Sequence, residues 1–550
     1  MITEAREVPD GTVVEADVCI VGAGAAGIAM ARRLAGEDVS VCLLESGGFE
    51  YDEATQNLYK GVITGRPYHD LDVTRLRFFG GTTNHWSGWC SPLDPIDFEP
   101  RPYLPLSGWR IRYEDLDGYT AEAADICQLP SRSFELADHQ ANLPEIYRQP
   151  LAEHGLSARV WQLSPPTRFG ETYGPEIEAA ERVRCLLGAN VVGIQMQEAS
   201  DLVDHLRVKT LAGTAFSVKA RAYVLAAGGI ENARLLLQPT NGRPNGIGNG
   251  GDQLGRYFML HPMVPIGTVM AIGSNGGLLQ SSGEDVVVGG LGLTPEEQLR
   301  RELPNHVINV LPGRPTWVAP AAFGVLKRRV RKPLEDTDAL FDDVKFVLGD
   351  LDEIGEYAYA RVSHRLSEML GDGKLPPDLY TVLLRMEHLP NPDSRIQLAA
   401  ERDALGSQRA AVNWAFSEGE KEGIRDTALR FGEIVGAMSI GRFHLTDWLQ
   451  EKTREFPNWI DGDYHHMGTT RMSDSLATGV CDWDCRVHDA RNLYIAGSSV
   501  FPTGGSSNPT LSIIAMTLRL ADHVLDDLSR PIGVRGMEAF DDRGAATAVD

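Results

Sequence analysis

The chain is predicted to fold as an α/β protein, α+β overall, from three stretches of its sequence. Residues 16–46 read as a strand, a glycine turn, a helix and a second strand. Residues 183–220 read as short strands of a β-meander, after which residues 222–229 return to the first sheet as a buried strand. Residues 492–528 read as a strand, a turn of small residues and a long helix. Because 550 residues exceed what one hydrophobic core holds, we expect two or more domains.

The glycine turn GAGAAG has the spacing of a dinucleotide-binding fingerprint. Gly22 allows the tight turn out of the strand, Gly24 lets a pyrophosphate approach the backbone, and Gly27 lets helix and strand pack closely. Ala26 lies in the same turn, at the helix end that faces the phosphates. Glu45 follows about twenty residues later and can accept hydrogen bonds from an adenosine ribose. The stretch therefore predicts dinucleotide binding and leaves NAD and FAD both open.

Charge and cysteine content exclude several classes of protein. The chain carries 76 acidic residues against 52 Lys and Arg, a formal net charge of -24. This charge repels nucleic acid, so no such partner is predicted; it would attract a cationic substrate, although solubility is the simpler interpretation. The 7 cysteines form no secreted disulfide framework, and Cys481 and Cys485 lack a second ligand pair, so no metal site is predicted. With no signal peptide and no apolar run long enough for a membrane span, we expect a cytoplasmic protein.

Three later stretches concentrate chemical groups. Residues 77–90, RFFGGTTNHWSGWC, combine glycines, hydroxyls, an amide, an imidazole and two indoles, which suits contact with a flat polar ligand. Residues 463–472 read DYHHMGTTRM, and NPT opens the last helix, with Asn508 suited to the N-cap and Pro509 to the first helical position. The basic run 327–332 is interpreted as a solvated face or lid edge.

These stretches together resemble the glucose–methanol–choline (GMC) oxidoreductases, FAD enzymes that oxidise alcohols. The resemblance rests on GAGAAG, GGTTNHWSG, YVLAAGGIENARLLL, YHHMGT and NPT, in family order and at family-like separations. The forms GGTTNHW and HHMGTTRM are most similar to the pyranose-oxidase-like, sugar-oxidising branch. The resemblance implies a Rossmann-like FAD-binding domain with a β-meander insertion, plus a substrate domain built on an antiparallel sheet with helices. We assign 1–105, 183–262 and 456–530 to the FAD-binding domain, 106–182 and 263–455 to the substrate domain, and 531–550 to a flexible tail.

The resemblance also implies roles for individual residues. His465, in Tyr-His-x-x-Gly-Thr, is the expected general base, and Asn508 is expected to hold the same substrate oxygen over the flavin. A neutral imidazole near pH 7 can take the hydroxyl proton while hydride leaves for flavin N5. An amide can align the C–H bond, and the N-terminus of the last helix can stabilise charge on the reduced flavin. Further expected FAD contacts are Gly80, Gly81, Asn84, Val191, Ala227, Gly497 and Thr510.

His85 occupies the position at which pyranose-oxidase-like members bond covalently to the flavin. The residues that follow Trp86 in this chain, Ser87 and Gly88, depart from that pattern. A non-covalent contact is therefore the favoured interpretation, and a covalent link through His85 is the alternative.

The predicted activity is FAD-dependent oxidation of a primary or secondary hydroxyl of a polyol or sugar-like substrate to a carbonyl. Oxygen or a quinone-type compound would be the electron acceptor. Three alternatives stay open. The substrate is an aminoglycoside or other amino sugar, which the net charge would attract; the protein is a non-redox lyase on the same FAD fold; or it is a flavin-binding scaffold or electron-transfer subunit.

Overall fold

A computed structural model describes residues 1–272, 286–312 and 379–530. The predicted flexible tail, 531–550, and the basic run 327–332 lie outside the described residues.

The described strands are, in chain order, β1 (Ile2–Glu4), β2 (Val13–Val21), β3 (Val41–Glu45), β4 (Val62–Ile63), β5 (Trp89–Cys90), β6 (Leu156–Leu163), β7 (Val183–Leu187), β8 (Asn190–Met196), β9 (Val203–Lys209), β10 (Ala215–Leu225), β11 (Met263–Ala271), β12 (Val287–Leu293), β13 (Val307–Pro312), β14 (Leu379–Arg385), β15 (Arg395–Arg402), β16 (Gln408–Asn413), β17 (Gly441–Leu445) and β18 (Leu493–Ile495). The described α-helices are α1 (Ala25–Leu34), α2 (Glu53–Gln56), α3 (Pro95–Phe98), α4 (Asp117–Ile126), α5 (Leu136–His139), α6 (Phe169–Ala179), α7 (Gly228–Leu237), α8 (Pro295–Arg301), α9 (Glu420–Ala437), α10 (Asp447–Gln450) and α11 (Thr510–Ser529).

The first sheet has the strand order β1-β7-β3-β2-β10-β9-β8, and β18 pairs with β10 beside this path. The pairs of β2 with β3 and β10, of β3 with β7, and of β10 with β18 are parallel, whereas β8, β9 and the start of β10 form the antiparallel meander. The central strands are buried apolar runs, as expected for a parallel sheet covered on both faces.

The predicted separation of residues 216–220 and 222–229 into two strands is wrong. β10 continues through Arg221, whose guanidinium binds Asp17 at 2.9 Å and the Leu528 carbonyl oxygen at 2.6 Å. Because the strand is not interrupted there, one strand joins the meander to the parallel sheet.

Helices from both ends of the chain pack together on this sheet. α11 lies against α1 and α4. The Arg33 guanidinium donates to both oxygens of Asp522, at 2.8 and 3.0 Å, and the Tyr119 hydroxyl donates to the same carboxylate at 3.0 Å. The core of the nucleotide-binding half is therefore complete only when the last described helix is in place.

The prediction of one helical piece over residues 144–155 is wrong. The structure has two 3₁₀ turns, Glu145–Arg148 and Leu151–His154. Pro150 separates them, and its missing N–H and the extended Gln149 before it stop a continuous helix. The predicted helix over 113–129 is present as a 3₁₀ turn, Tyr113–Leu116, followed by α4.

The second sheet is antiparallel throughout, with the order β17-β11-β14-β13-β12-β6-β5. α9 packs against β17 and β11, and the side chains between them form a second core. The predicted fold class, a Rossmann-like domain with a meander plus a domain on an antiparallel sheet, is confirmed.

A third, small sheet has the order β15-β16-β4 and joins parts of the chain that we assigned to different domains. β4 comes from the predicted FAD-binding segments, and β15 and β16 come from the predicted substrate segments. β5 likewise precedes residue 105 but belongs to the second sheet. The domain bounds therefore stay a prediction. In the part of the chain that the structure describes, no helix combines the length and apolar character needed to cross a membrane.

Candidate active site

One cavity of about 600 Å³ is lined both by the glycine turn and by the histidine-rich segment near residue 465. Its volume lies in the range of sites for small molecules and cofactors. Most of the predicted site residues line it: Gly22, Gly24, Ala26, Glu45, Gly81, His85, Val191, Ala227, His465, Gly497, Asn508 and Thr510. Gly27, Gly80 and Asn84 do not.

The glycine turn has the geometry that its sequence predicts. Gly22 has a φ of 103°, which favours glycine. A β-carbon on Gly27 would lie 1.8 Å from the Gly22 carbonyl oxygen, so only glycine allows this contact between α1 and β2. A β-carbon on Gly24, by contrast, would meet no protein atom within 4 Å. The turn therefore leaves open the space that a pyrophosphate would use.

Glu45 is tied to the same turn. Its Oε2 accepts a hydrogen bond from the Ala23 N–H at 2.8 Å, and its Oε1 accepts one from the Gly47 N–H at 2.8 Å. The carboxylate is thus fixed at the cavity wall, at the end of β3, where a ribose hydroxyl could reach it.

Alanine substitutions at the two glycines should separate cofactor binding from folding. Gly27→Ala is expected to destabilise the fold by about 1–3 kcal/mol, because the new methyl group overlaps a carbonyl oxygen. Gly24→Ala is expected to change the stability of the FAD-free protein by less than about 0.5 kcal/mol, because its methyl group meets only open space. Gly24→Ala should nevertheless lose FAD. Thermal unfolding without cofactor and flavin absorbance after purification measure the two effects, and equal destabilisation by both substitutions would contradict the argument.

A buried charge cluster borders the same cavity. Glu231 contacts the guanidinium groups of Arg75 at 3.0 Å, Arg77 at 3.5 Å and Arg234 at 2.8 Å. Burial alone would raise the pKa of Glu231, but the three guanidinium charges lower it to about 2. Arg77 lines the cavity, and its buried Nε has no partner among the described residues. Arg234 also pairs with the buried Asp403 at 3.4 Å, so three guanidinium groups face two carboxylates. The remaining excess of positive charge fits a cavity that holds an anionic cofactor.

Glu231→Gln is expected to lower the free energy of unfolding by about 3–5 kcal/mol, because it leaves the buried guanidinium groups of Arg75 and Arg77 without a carboxylate partner. Since the folded-state pKa lies below the usual value, this stabilisation is present above about pH 4.5 and fades as the pH falls toward 2. Glu433→Gln is the matched control: that side chain is 57% exposed and pairs with Arg430, so its loss should cost less than about 1 kcal/mol. Denaturant unfolding at neutral pH measures both, and equal costs would contradict the prediction.

At the other wall of the cavity, Asp463 orients the imidazole of His465. The Asp463 carboxylate contacts His465 Nδ1 through Oδ2. Its Oδ1 accepts hydrogen bonds from the backbone N–H groups of His261 at 3.0 Å and His465 at 3.1 Å. Burial would raise the pKa of Asp463, but the imidazole of His465 and these donors hold it well below its usual range. An ionised carboxylate only accepts, so the neutral His465 ring carries its proton on Nδ1 and leaves Nε2 as a base.

His261 supports this arrangement from the side. Its Nε2 lies 3.1 Å from the Gly504 carbonyl oxygen, which can only accept, so Nε2 carries the proton. Its Nδ1 then faces His465 Nδ1 at 3.2 Å as an acceptor. Burial and the neighbouring His465 lower the pKa of His261 to about 3, so this ring stays neutral near pH 7. The two rings are therefore compatible only with the His465 proton on Nδ1.

Asn508 does not cap the last helix, and that part of the prediction is wrong. α11 begins at Thr510 with Pro509 at the N-cap position, and no side chain caps it. Instead, Asn508 Oδ1 accepts a hydrogen bond from Arg385 Nη1 at 2.7 Å, and its Nδ2 lies 3.3 Å from His465 Nε2. Because a guanidinium offers only donors, Oδ1 must face Arg385 and the NH₂ group must face His465.

Three of these groups also satisfy a geometric criterion for a metal site. His261, Asp463 and His465 each offer one ligand atom, and these atoms lie within 4.8 Å of one another. Their hydrogen bonds with each other already explain the arrangement. We assign no metal to it, and the expectation of a metal-free site stays a prediction.

The remaining predicted contacts surround the loop before β5. His85 opens onto the cavity and stacks on Tyr464, with ring centroids 6.0 Å apart. Asn84 points away and donates from Nδ2 to the Phe79 carbonyl oxygen at 2.9 Å, while Gly80 has a left-handed φ of 95°. Asn84 and Gly80 therefore shape the loop, and their contact with FAD, like the covalent link through His85, stays a prediction.

Sequence reasoning assigned no role to Asp463, His261 or Arg385. Asp463 stands two residues before His465, so the pair was visible in DYHH. His261 and Arg385 carry no such signal, because neither is near another site residue in the sequence.

Comparison with known proteins agrees with this architecture. Residues 17–325 match the family model of FAD dependent oxidoreductases, and residues 390–517 match that of the GMC oxidoreductases. The chain is 22% identical to the fructose dehydrogenase large subunit of Gluconobacter japonicus, over 94% of this chain and 98% of that protein. It is 23% identical to paromamine 6'-oxidase of Streptomyces fradiae, over 93% and 92% of the two chains. A solved formate oxidase from Aspergillus oryzae shares the fold, with a TM-score of 0.52 and 16% identity, over 95% of this chain and 100% of that one.

Proposed function

Because this chain belongs to the GMC family of FAD-dependent oxidoreductases, which oxidise CH–OH groups, we propose that it oxidises a primary or secondary hydroxyl of a sugar-like substrate to a carbonyl, with His465 as the general base. One observation carries the proposal: the His465 Nε2 and Asn508 Nδ2 atoms lie 3.3 Å apart on the cavity that the glycine turn also lines. A substrate hydroxyl that approaches both atoms from the cavity, in place of their contact with each other, can donate to the first and accept from the second.

Separate residues would bind the cofactor, take the proton and orient the substrate. The glycine turn, Glu45 and the Glu231 cluster would hold FAD, which when bound supplies the two-electron acceptor. His465 Nε2 takes the hydroxyl proton, and the Asp463 carboxylate stabilises the resulting imidazolium. Asn508 Nδ2 holds the substrate oxygen and restricts the orientation of the carbon that bears it.

An anaerobic screen tests the proposal. The protein is mixed without oxygen with neutral sugars, polyols and amino sugars, and bleaching of the flavin absorbance is followed. We expect at least one hydroxyl substrate to bleach the flavin, and air or a quinone to restore it, which also identifies the electron acceptor. Turnover without any bleaching would favour a non-redox lyase. If protein that carries FAD shows neither turnover nor flavin bleaching with any of these compounds, a flavin-binding scaffold would be favoured.

An amino sugar is the second candidate substrate. Two observations favour it: the net charge of -24, which would attract a cation, and the similarity to paromamine 6'-oxidase. The charge acts over the whole surface, whereas the charges at the reacting end of the cavity decide which substrate binds there.

A further inference from the structure

We propose that Arg385 is a positioning and specificity-determining residue, which aims the Asn508 amide at the reacting oxygen and selects neutral or acidic hydroxyl compounds over those with an ammonium group beside the reacting carbon. This inference rests on the proposed function and names the substrate class of the same site.

The first support is the direction of the hydrogen bonds. Arg385 is the last residue of β14, is 8% exposed and lines the cavity. Its Nη1 donates to Asn508 Oδ1 at 2.7 Å, which turns the Asn508 NH₂ group toward His465. Arg385 has only donors and the Asp463 carboxylate has only acceptors, so the chain Arg385–Asn508–His465–Asp463 has one direction. Arg385 thereby acts on the reacting oxygen through Asn508 and not by touching it.

The second support is the lack of a matching anion. Among the described residues, no carboxylate forms an ion pair with Arg385. Burial lowers the pKa of its guanidinium, and the charge of Asp463 opposes this shift only in part. The Asp463 oxygens are engaged by His465 and by two backbone N–H groups. Asp461, the nearby exposed carboxylate, pairs with His69 at 2.9 Å. The guanidinium is therefore a buried cation whose remaining donors are available to a ligand.

Apart from the Asp463 carboxylate, whose oxygens are already engaged, the other titratable groups of this part of the cavity add no charge. His261 is neutral near pH 7, because burial and the neighbouring His465 lower its pKa to about 3. Burial and the charge of Arg168 lower the pKa of His85, so this ring is neutral there as well. The reacting end of the cavity therefore offers the donors of a guanidinium but, among the described residues, no carboxylate free of other partners. A substrate ammonium close to the reacting carbon would face the Arg385 cation without a free acceptor for its own charge.

Paired substrates test the selection. Glucose is compared with its 2-amino and 3-amino analogues, at least one of which carries the ammonium group next to the oxidised carbon for oxidation at C1, C2, C3 or C4. The kcat/KM values of these sugars are measured in the wild type, Arg385→Lys and Arg385→Gln. We expect the wild type and Arg385→Lys to prefer the neutral sugar by about tenfold or more, and Arg385→Gln to lose most of this preference. Arg385→Lys keeps the charge but not the planar fork, so its kcat should fall while its KM changes little. Equal preference in all three proteins, or a wild type that prefers the amino sugar, would overturn the proposal.

A binding measurement separates this role from a structural one. Acetate and methylammonium cannot reduce the flavin in this way, so their equilibrium binding to the FAD-loaded protein is followed by perturbation of the oxidised flavin spectrum. Acetate should bind wild type and Arg385→Lys in competition with sugar, and about tenfold more weakly to Arg385→Gln. Methylammonium should bind only Arg385→Gln.

Acetate binding that is unchanged by Arg385→Gln would contradict the proposal. If no hydroxyl compound bleaches the flavin but acetate binding is still weakened by Arg385→Gln, the proposed function is refuted and the assignment of an anion site at Arg385 is retained.

Discussion

Replacing His465 by alanine is expected to slow flavin reduction by a hydroxyl substrate about 10²- to 10⁴-fold. His465 Nε2 is the acceptor that faces the cavity, because its Nδ1 is committed to Asp463. Without it, the hydroxyl proton must leave to water while the hydride departs. The rate of anaerobic flavin bleaching, measured in a stopped-flow instrument at saturating substrate, reports this step directly. FAD content should stay near wild type, because His465 lies outside the glycine turn.

The neighbouring histidine provides the control. His466 Nε2 lies 2.8 Å from the Tyr68 hydroxyl group, and burial lowers the pKa of His466 to about 3. His466→Gln is therefore expected to cost stability and to keep the bleaching rate within about tenfold of wild type. A His465→Ala protein that retains full turnover, or a larger loss from His466→Gln, would refute the assignment of the base.

Asp463→Asn is expected to lower the same rate on the order of 10²- to 10⁴-fold, although it removes no group that touches substrate. The two backbone N–H groups that bind Oδ1 of Asp463 would hold the amide oxygen of the new side chain. Its NH₂ group would then face His465 Nδ1 and act as a donor. The His465 imidazole would then accept this hydrogen bond through a lone pair on Nδ1. Its proton would lie on Nε2, which could no longer act as the base.

A second substitution separates this tautomer effect from a simple loss of charge. Asp463→Ala removes the same charge but places no donor against His465 Nδ1, so a pure charge effect would make the two variants equally slow. We expect Asp463→Asn to be the slower of the two, because only its NH₂ group fixes the His465 proton on Nε2. Asp461→Asn is the matched control, because it removes a carboxylate two residues away that pairs with His69 and is 52% exposed. Its effect should stay below about fivefold. An Asp463→Asn rate equal to that of Asp463→Ala would contradict the tautomer argument.

The parts of the fold that the sequence predicted well are those held by local contacts. The turn at Gly22, Gly24 and Gly27 lies within one strand–helix unit, so spacing alone constrains it. The segment 144–155 was mispredicted because its apolar residues suggested a helix, whereas Pro150 overrides that tendency.

The candidate site was predictable only where one motif carried it. His465 and Asn508 were found through their motifs, but the partner of Asn508 was not. Arg385 lies 123 residues before Asn508, at the end of an antiparallel strand without a recognisable pattern. The pairing of β14 with its neighbours decides where that guanidinium lies, and strand pairing over such separations is not encoded locally. The same reason led to the N-cap assignment for Asn508, since a cap is the local solution when no distant donor is known.

The contact between α1 and α11 has a consequence for biosynthesis. The Arg33–Asp522 pair joins residues 489 positions apart, and β18 must reach β10 across 270 positions, as in the pair of Tyr223 with Leu493. While the ribosome is still translating the middle of the chain, the part of α1 that packs against α11 has no partner, and the wall formed by Asn508 and Thr510 does not exist. Topologies with such distant contacts fold slowly and expose apolar surface in the interim. The nascent protein should therefore depend on chaperones, and it should capture its cofactor after translation and not during it.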